Sequence, residues 1–292
     1  MYNVDMLTTT IGSYPYDYKK LGTDAIRRAV QEQVDAGVDI VSDGQTRCNM
    51  IEYFAKNIEG YKWDGKSIVD GKIGRGKPEM FITDLALAQE LAPRVKGIVT
   101  GPVTLVFASR INGSVYNGYR DRSLYLDTAN AILDIALAME RQGAEWIQID
   151  EPSLSTGAPM DIAQEAIEII ATALTVPVAL HICGDVKTII ERLLTLQGVI
   201  TLSHGFKGED NMPILKNEKV IRSDKCIGLG CVDTKTNRVE DVEEIAGVIK
   251  AALRTINKER LIIHPDCGLR ILERNTAYEK LKNMVVAARM FD

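Results

Sequence analysis

Eight short apolar runs rich in Val and Ile punctuate this chain, at 8–13, 40–43, 98–105, 146–150, 178–181, 199–203, 227–232 and 261–264. A strand apolar along its whole length needs cover on both faces, as it has in a parallel sheet wrapped by helices. The segments between the runs supply that cover. Stretches 23–36, 124–142, 161–173 and 239–257 place apolar residues at three- and four-residue intervals, the period of a helix packed on a sheet. Eight such units in 292 residues predict an α/β fold, a (β/α)8 TIM barrel, with 1–292 as a single catalytic domain. A doubly wound sheet is the competing architecture, and it would favour a G-x-G-x-x-G phosphate loop after an early strand. The nearest candidate, from Gly71 through Gly74 to Gly76, reads G-x-x-G-x-G and follows no apolar run. No Pro/Gly-rich linker, repeat or composition break divides the chain.

Composition narrows the function. Lys and Arg total 35 against 40 Asp and Glu, and a net charge of -5 gives no electrostatic case for nucleic acid. The longest largely apolar stretch, 97–108, falls short of the roughly 18 residues a bilayer span requires. The opening MYNVDM has neither the basic nor the apolar region of an export signal, so a cytoplasmic protein is expected. Cys48, Cys183, Cys226, Cys231 and Cys267 are an odd, scattered set. In that compartment they read as reduced thiols or metal ligands rather than a disulfide framework.

Polar and ionisable residues collect at the C-terminal ends of the proposed strands: Ser13, Asp43, Thr104, Asp150 with Glu151, His181 with Cys183, Ser203 with His204, Asp233, and Asp266 with Cys267. In barrel enzymes that rim builds the active site. The plainer alternative holds for individual members, above all the aspartates, which often cap a following helix.

Two motifs on this rim carry metal chemistry. His181-x-Cys183 closes PVALHICG, and Cys267 closes LIIHPDCG. Residues two apart in a strand share a face, so His181 and Cys183 can reach one ion, and both rims converge over the barrel mouth. One imidazole and two thiolates form a zinc set with room for an exchangeable fourth ligand. The alternative is that a buried cysteine is simply a small apolar residue, the reading preferred for Cys226 and Cys231. Zinc held by two thiolates is a poor hydroxide generator and suits lowering the pKa of a substrate thiol. That points to alkyl transfer to sulfur.

The motifs then become specific. TTIGSYP, DGQTRCNMIEYF, TGPVT, IQIDEP, HICG, GLGCVD with RVEDVEEI, and HPDCGL occur in this order over essentially the whole chain. Together they resemble the C-terminal catalytic barrel of cobalamin-independent methionine synthase. The resemblance implies zinc at His181, Cys183 and Cys267. It implies that Ile11, Gly12 and Ser13 hold the homocysteine carboxylate and that Asp150 accepts its ammonium group. Gln45 stands where the family usually has a second ammonium-binding Glu, so amine recognition is expected to be weaker; Gln45 could instead be a turn residue of the DGQ loop.

Departures from the family pattern matter as much. The family's zinc-binding Glu falls at Ser203 in VITLSHGF, which leaves the fourth position to His204, a water or the substrate thiolate. Its proton-donating His aligns with Lys235 in VDTKT; Lys235 could neutralise a leaving group, although its usual pKa of about 10.4 makes it a weak acid. The pterin-stacking aromatic aligns with Ala108, the pterin-recognising Glu with Thr156, and no counterpart of the N-terminal half of folate-using members is expected. Stacking and a charged hydrogen bond are each worth on the order of 1–3 kcal/mol, so methyltetrahydrofolate is an unfavourable donor. The barrel is also similar to methylcorrinoid-dependent thiol methyltransferases. Methyl transfer from methylcobalamin, or from a corrinoid protein, to homocysteine is therefore the expected reaction. Coenzyme M is an alternative acceptor, which Gln45 and Lys235 favour. A non-catalytic subunit binding a corrinoid protein is an alternative of another class, but it would not need a vacant metal position.

Overall fold

Six parallel strands stand side by side in chain order: Gly97–Thr100, Ile147–Asp150, Val178–His181, Val199–Gly205, Cys226–Gly230 and Leu261–His264. A computed structural model describes residues 6–113 and 115–292, so the first five residues of the MYNVDM segment lie outside it. Parallel bridges close the circle: Thr8 pairs with Ile263, Thr9 with Ile40, and Val41 with Val95. The result is the expected eight-staved barrel, with strands one and two at Thr8–Thr9 and Ile40–Val41 and the six long strands as three to eight.

The second stave is shorter than its apolar run because a side chain takes over the ladder. The fully buried Gln33 accepts from Ser42 N at 3.0 Å and donates to Ser42 O at 3.0 Å. Run 98–105 is not one strand. It ends at Thr100, and Gly101 and Pro102 open a helix, Pro102–Phe107, in which a proline at the first position sacrifices no hydrogen bond. The buried Glu151 caps this helix, accepting from Val103 N at 2.9 Å and Thr104 N at 2.7 Å.

The amphipathic segments become the outer helices Asp24–Asp35, Arg122–Arg141, Met160–Ala171 and Val242–Ala252. The first buries Ala25, Ile26, Ala29 and Val30 against the staves; fully burying an Ile or Val contributes roughly 1.5–3 kcal/mol each. A feature absent from the sequence reading is a three-stranded side sheet, Tyr61–Trp63, Ser67–Val69 and Ser109–Ile111, inserted after the second and third staves. The Gly71 to Gly76 segment follows Ser67–Val69 of this sheet and leads to helix Glu79–Gln89, so it is a connector rather than a barrel-strand phosphate loop. Among the described residues, no helix is long and apolar enough to cross a membrane.

Candidate active site

Strand register aligns Thr100, Asp150, His181, Ser203 and Gly228 in one row around the C-terminal end of the barrel. His181 ends strand five, Cys183 follows in the next loop, and Cys267 follows strand eight. His181 Nε2 lies 3.0 Å from Cys183 Sγ, which lies 2.9 Å from Cys267 Sγ. Each residue brings a ligand atom within 4.8 Å of the other two. The hydrogen bond from the Cys183 thiol, with help from His181, holds Cys267 well below the ordinary thiol range. The same bond and burial push Cys183 up. Two sulfurs sharing a proton beside an imidazole nitrogen are a donor set suited to a soft tetrahedral cation. They open onto a cavity of about 370 Å³ that is also lined by Ser13, Gln45, Lys235 and Arg270.

Neither Ser203 nor His204 completes this set. Ser203 Oγ is occupied 3.1 Å from His181 Nδ1 and 2.9 Å from His264 Nε2, behind the imidazole rather than beside its free nitrogen. His204, next along the strand, faces the other side, where its Nδ1 donates to Ile182 O at 3.3 Å. The group of three is thus open on its cavity side.

Beside the centre, the chain leaves the first stave at Ile11, Gly12 and Ser13. Gln148 Nε2 donates to Ile11 O at 2.7 Å, and Ser42 Oγ donates to Gly12 O at 3.0 Å, which fixes the carbonyls. Among the described residues, the N–H groups of Gly12 and Ser13 find no acceptor. They are available for a ligand's oxygens. A Cβ at position 12 would lie 2.8 Å from Gln45 Oε1 and from Ile98 Cδ1, so the glycine lets the Gln45 amide sit against this turn.

Asp150 is 6% exposed, and a carboxylate so buried needs a cationic partner. The structure supplies one beneath it. Lys96, 2% exposed, donates to Thr10 O and, at 2.5 Å, to Gln148 Oε1; Gln148 Nε2 in turn donates to Asp150 Oδ1 at 2.7 Å. Burial pushes the Asp150 carboxyl up to about 6 against the pull of His181, Gln148 and Lys96.

Gln45 is a turn residue that also lines the cavity. Its φ of 44° is in the left-handed region, its N–H donates to Asp43 Oδ1 at 3.1 Å, and its carbonyl accepts from the half-buried Arg270. Such a conformation persists only when its surroundings hold it. Lys235 reaches the mouth but pairs with Glu209 at 2.6 Å. That bond holds its ammonium above the usual lysine range, making Lys235 a poorer acid than an ordinary lysine. The loop before it is anchored by a fully buried ion pair: Lys280 Nζ lies 2.7 Å from Glu240 Oε2 and donates to Asp233 O at 2.8 Å.

Two of the rim aspartates neither cap a helix nor face the cavity. Asp266 accepts from Phe206 N at 2.9 Å and Lys207 N at 3.1 Å, and Asp233 from Lys235 N at 2.8 Å, so both close loops rather than face the cavity. Cys231 is buried in the apolar core and Cys226 packs against a smaller cluster, and neither belongs to the group of His181, Cys183 and Cys267. Ala108 and Thr156 are exposed, and the Thr156 hydroxyl is used within its own turn, donating to Ser153 O at 2.9 Å. Lys96, Gln148, His264 and Arg270 are the cavity and support residues that sequence reasoning missed, although Gln148 lay inside IQIDEP and His264 inside HPDCGL, motifs already noticed.

Fold and site define a (β/α)8 barrel enzyme with a thiol–imidazole centre at its C-terminal mouth. Residues 16–290 match the family described as cobalamin-independent synthase, catalytic domain. A methionine synthase of Methanothermobacter thermautotrophicus is 41% identical over 310 residues, covering 97% of this chain and 99% of the relative. One from Methanocaldococcus jannaschii is 38% identical over 320 residues, covering 98% and 99%. Among solved structures, the B12-independent methionine synthase of Shewanella sp. W3-18-1 in complex with selenomethionine superposes with a TM-score of 0.85 at 22% identity, covering 98% of each chain. A methyltransferase from Methanosarcina mazei reaches 0.69 at 18% identity, covering 98% of this chain and 94% of the other. The chain belongs to the cobalamin-independent synthase catalytic-domain family. It is an enzyme, a methyltransferase of the methionine synthase type.

Proposed function

We propose that this chain, acting as one catalytic domain, moves a methyl group from methylcobalamin or a methylated corrinoid protein to the thiol of homocysteine, forming methionine. The observation that carries the reading is the convergence of His181, Cys183 and Cys267 within 4.8 Å on the floor of the mouth, beside Asp150 and the free N–H groups of Gly12 and Ser13. Those three side chains are the ligands we assign to one zinc ion. Bound there, zinc lowers the pKa of a substrate thiol so that a thiolate is present at neutral pH.

The protein's own groups hold the amino acid. The N–H groups of Gly12 and Ser13, with the Ser13 hydroxyl, donate to the carboxylate, and Asp150 accepts from the ammonium with the Gln45 amide beside it. This fixes the sulfur over the centre and converts a bimolecular step into an oriented one. The new S–CH3 bond forms as the donor's bond to methyl breaks, and the electron pair of that bond stays on the donor. No side chain is modified. Lys235, tied to Glu209, serves at the mouth as a neutralised pair rather than a proton donor. Folate is disfavoured by Ala108 and by the locally engaged Thr156. Reduced, adjacent thiols suit a reducing compartment, which supports a cytoplasmic setting.

One observation favours coenzyme M instead: among the described residues, Arg270 lines the cavity with only the Gln45 carbonyl as partner, a cation suited to a sulfonate. The two acceptors are separated by supplying methylcobalamin with each thiol in turn. Homocysteine should be methylated much faster; a preference for coenzyme M would overturn the homocysteine assignment.

A further inference from the structure

We infer that Ser203 and His264 are positioning residues that fix the tautomer and ring orientation of His181, through a hydrogen-bonded relay built across a glycine notch in strand seven. The inference rests on the zinc reading of the His181, Cys183 and Cys267 centre.

The direction of the relay follows from where it ends. His264 Nδ1 lies 2.7 Å from Pro265 O, and a carbonyl only accepts, so that nitrogen carries a proton. His264 is 1% exposed with no carboxylate bonded to it, so its ring is neutral and Nε2 is an acceptor. The group 2.9 Å from Nε2 is Ser203 Oγ, which therefore donates its proton there. Its lone pairs face His181 Nδ1 at 3.1 Å, and that nitrogen supplies the N–H. What remains on His181 is a lone pair on Nε2, the atom 3.0 Å from Cys183 Sγ and turned toward the thiols. At 1–3% exposure for all three side chains, water cannot stand in for a missing partner.

The backbone is shaped for this contact. Ser203 and His264 belong to strands six and eight, with strand seven between them. They touch because Gly228, in register with Ser203, has no side chain. A Cβ at 228 would lie 2.6 Å from His264 Nε2 and 2.9 Å from Ser203 Cβ. The glycine thus joins two side chains that neighbouring strands would normally separate.

The test uses the full-length, zinc-loaded chain, whose three histidines make a ring-nitrogen NMR spectrum simple to assign. His181 should show a protonated Nδ1 and a metal-bound Nε2. In chelator competition, Ser203→Ala should weaken zinc binding roughly 10- to 100-fold, the usual loss when a ligand histidine forfeits its partner. Gly228→Ala, which alters no ligand, should weaken it similarly, and Ser203→Thr should restore most of the affinity. Coordination through Nδ1, or zinc held as tightly by folded Ser203→Ala and Gly228→Ala proteins as by the parent, overturns the relay alone. A parent chain that binds no zinc overturns the zinc reading and this inference with it.

Discussion

Lys96 and Asp150 are joined beneath the barrel mouth by a single amide: Gln148 accepts from the Lys96 ammonium at 2.5 Å and donates to the Asp150 carboxylate at 2.7 Å. Burial drives the two in opposite directions, Lys96 down to about 7 and Asp150 up to about 6, while each favours the charged form of the other. A cation inside the barrel therefore keeps an anion ready at its rim.

Replacing Lys96 with Met removes that support. The sign is set by the pull Lys96 exerts: it lowers the Asp150 pKa, so its loss raises it. The acidic limb of kcat/KM for homocysteine, which reports the Asp150 anion, should move to higher pH. A pH profile checks this, and an unmoved limb would separate Lys96 from Asp150.

The thiols divide into two classes. Cys183→Ser and Cys267→Ser should each lose most of about one zinc per chain, because the ligand set makes a single site. Cys226→Ser and Cys231→Ser should keep it. Metal analysis of the four variants decides, and equal losses across them would remove the ligand assignment.

Lys280→Met leaves Glu240 as an uncompensated buried charge, since both side chains are 0% exposed. Breaking such a pair costs about 3–5 kcal/mol. Thermal or denaturant unfolding should show that loss, with zinc content in the folded fraction unchanged. A near-neutral result would mean that water or another cation reaches Glu240.

How far the sequence led depended on where the signal lay. Staves five and eight were the most legible because VALH and LIIH are each an unbroken apolar run ending in a polar residue, the others being largely apolar, and His181-x-Cys183 was legible because spacing along a strand dictates a shared face. The side sheet was not, since three-residue strands such as Tyr61–Trp63 are too short to show a period. Run 98–105 misled because Gly101-Pro102 turns an apolar strand directly into an apolar helix. Lys96 had no local mark: a lysine just before a strand reads as solvated, and only barrel closure carries it inward under Trp146 and Gln148. Ser203 and His264 meet across a third strand, a contact no single-strand pattern contains.

Amine recognition is tested by Asp150→Asn. A partly buried charge-assisted hydrogen bond contributes roughly 1.5–3 kcal/mol, so kcat/KM for homocysteine should fall about 10- to 150-fold. Activity with an amine-free thiol should barely change and zinc should remain. Gln45→Glu, adding a carboxylate at the same turn, should raise homocysteine activity or leave it level. Equal impairment of both thiols by Asp150→Asn would make Asp150 a support of the metal centre instead.

The central claim is methyl transfer from a corrinoid to a thiol at this centre, and it is tested most directly by supplying the zinc-loaded chain with homocysteine and methylcobalamin and following methionine. Methionine should form in step with methylcobalamin consumption, cease when a chelator strips the metal, and not form comparably when methyltetrahydrofolate is the sole methyl source. Comparable turnover with methyltetrahydrofolate, or transfer from methylcobalamin undiminished after zinc removal, would contradict it.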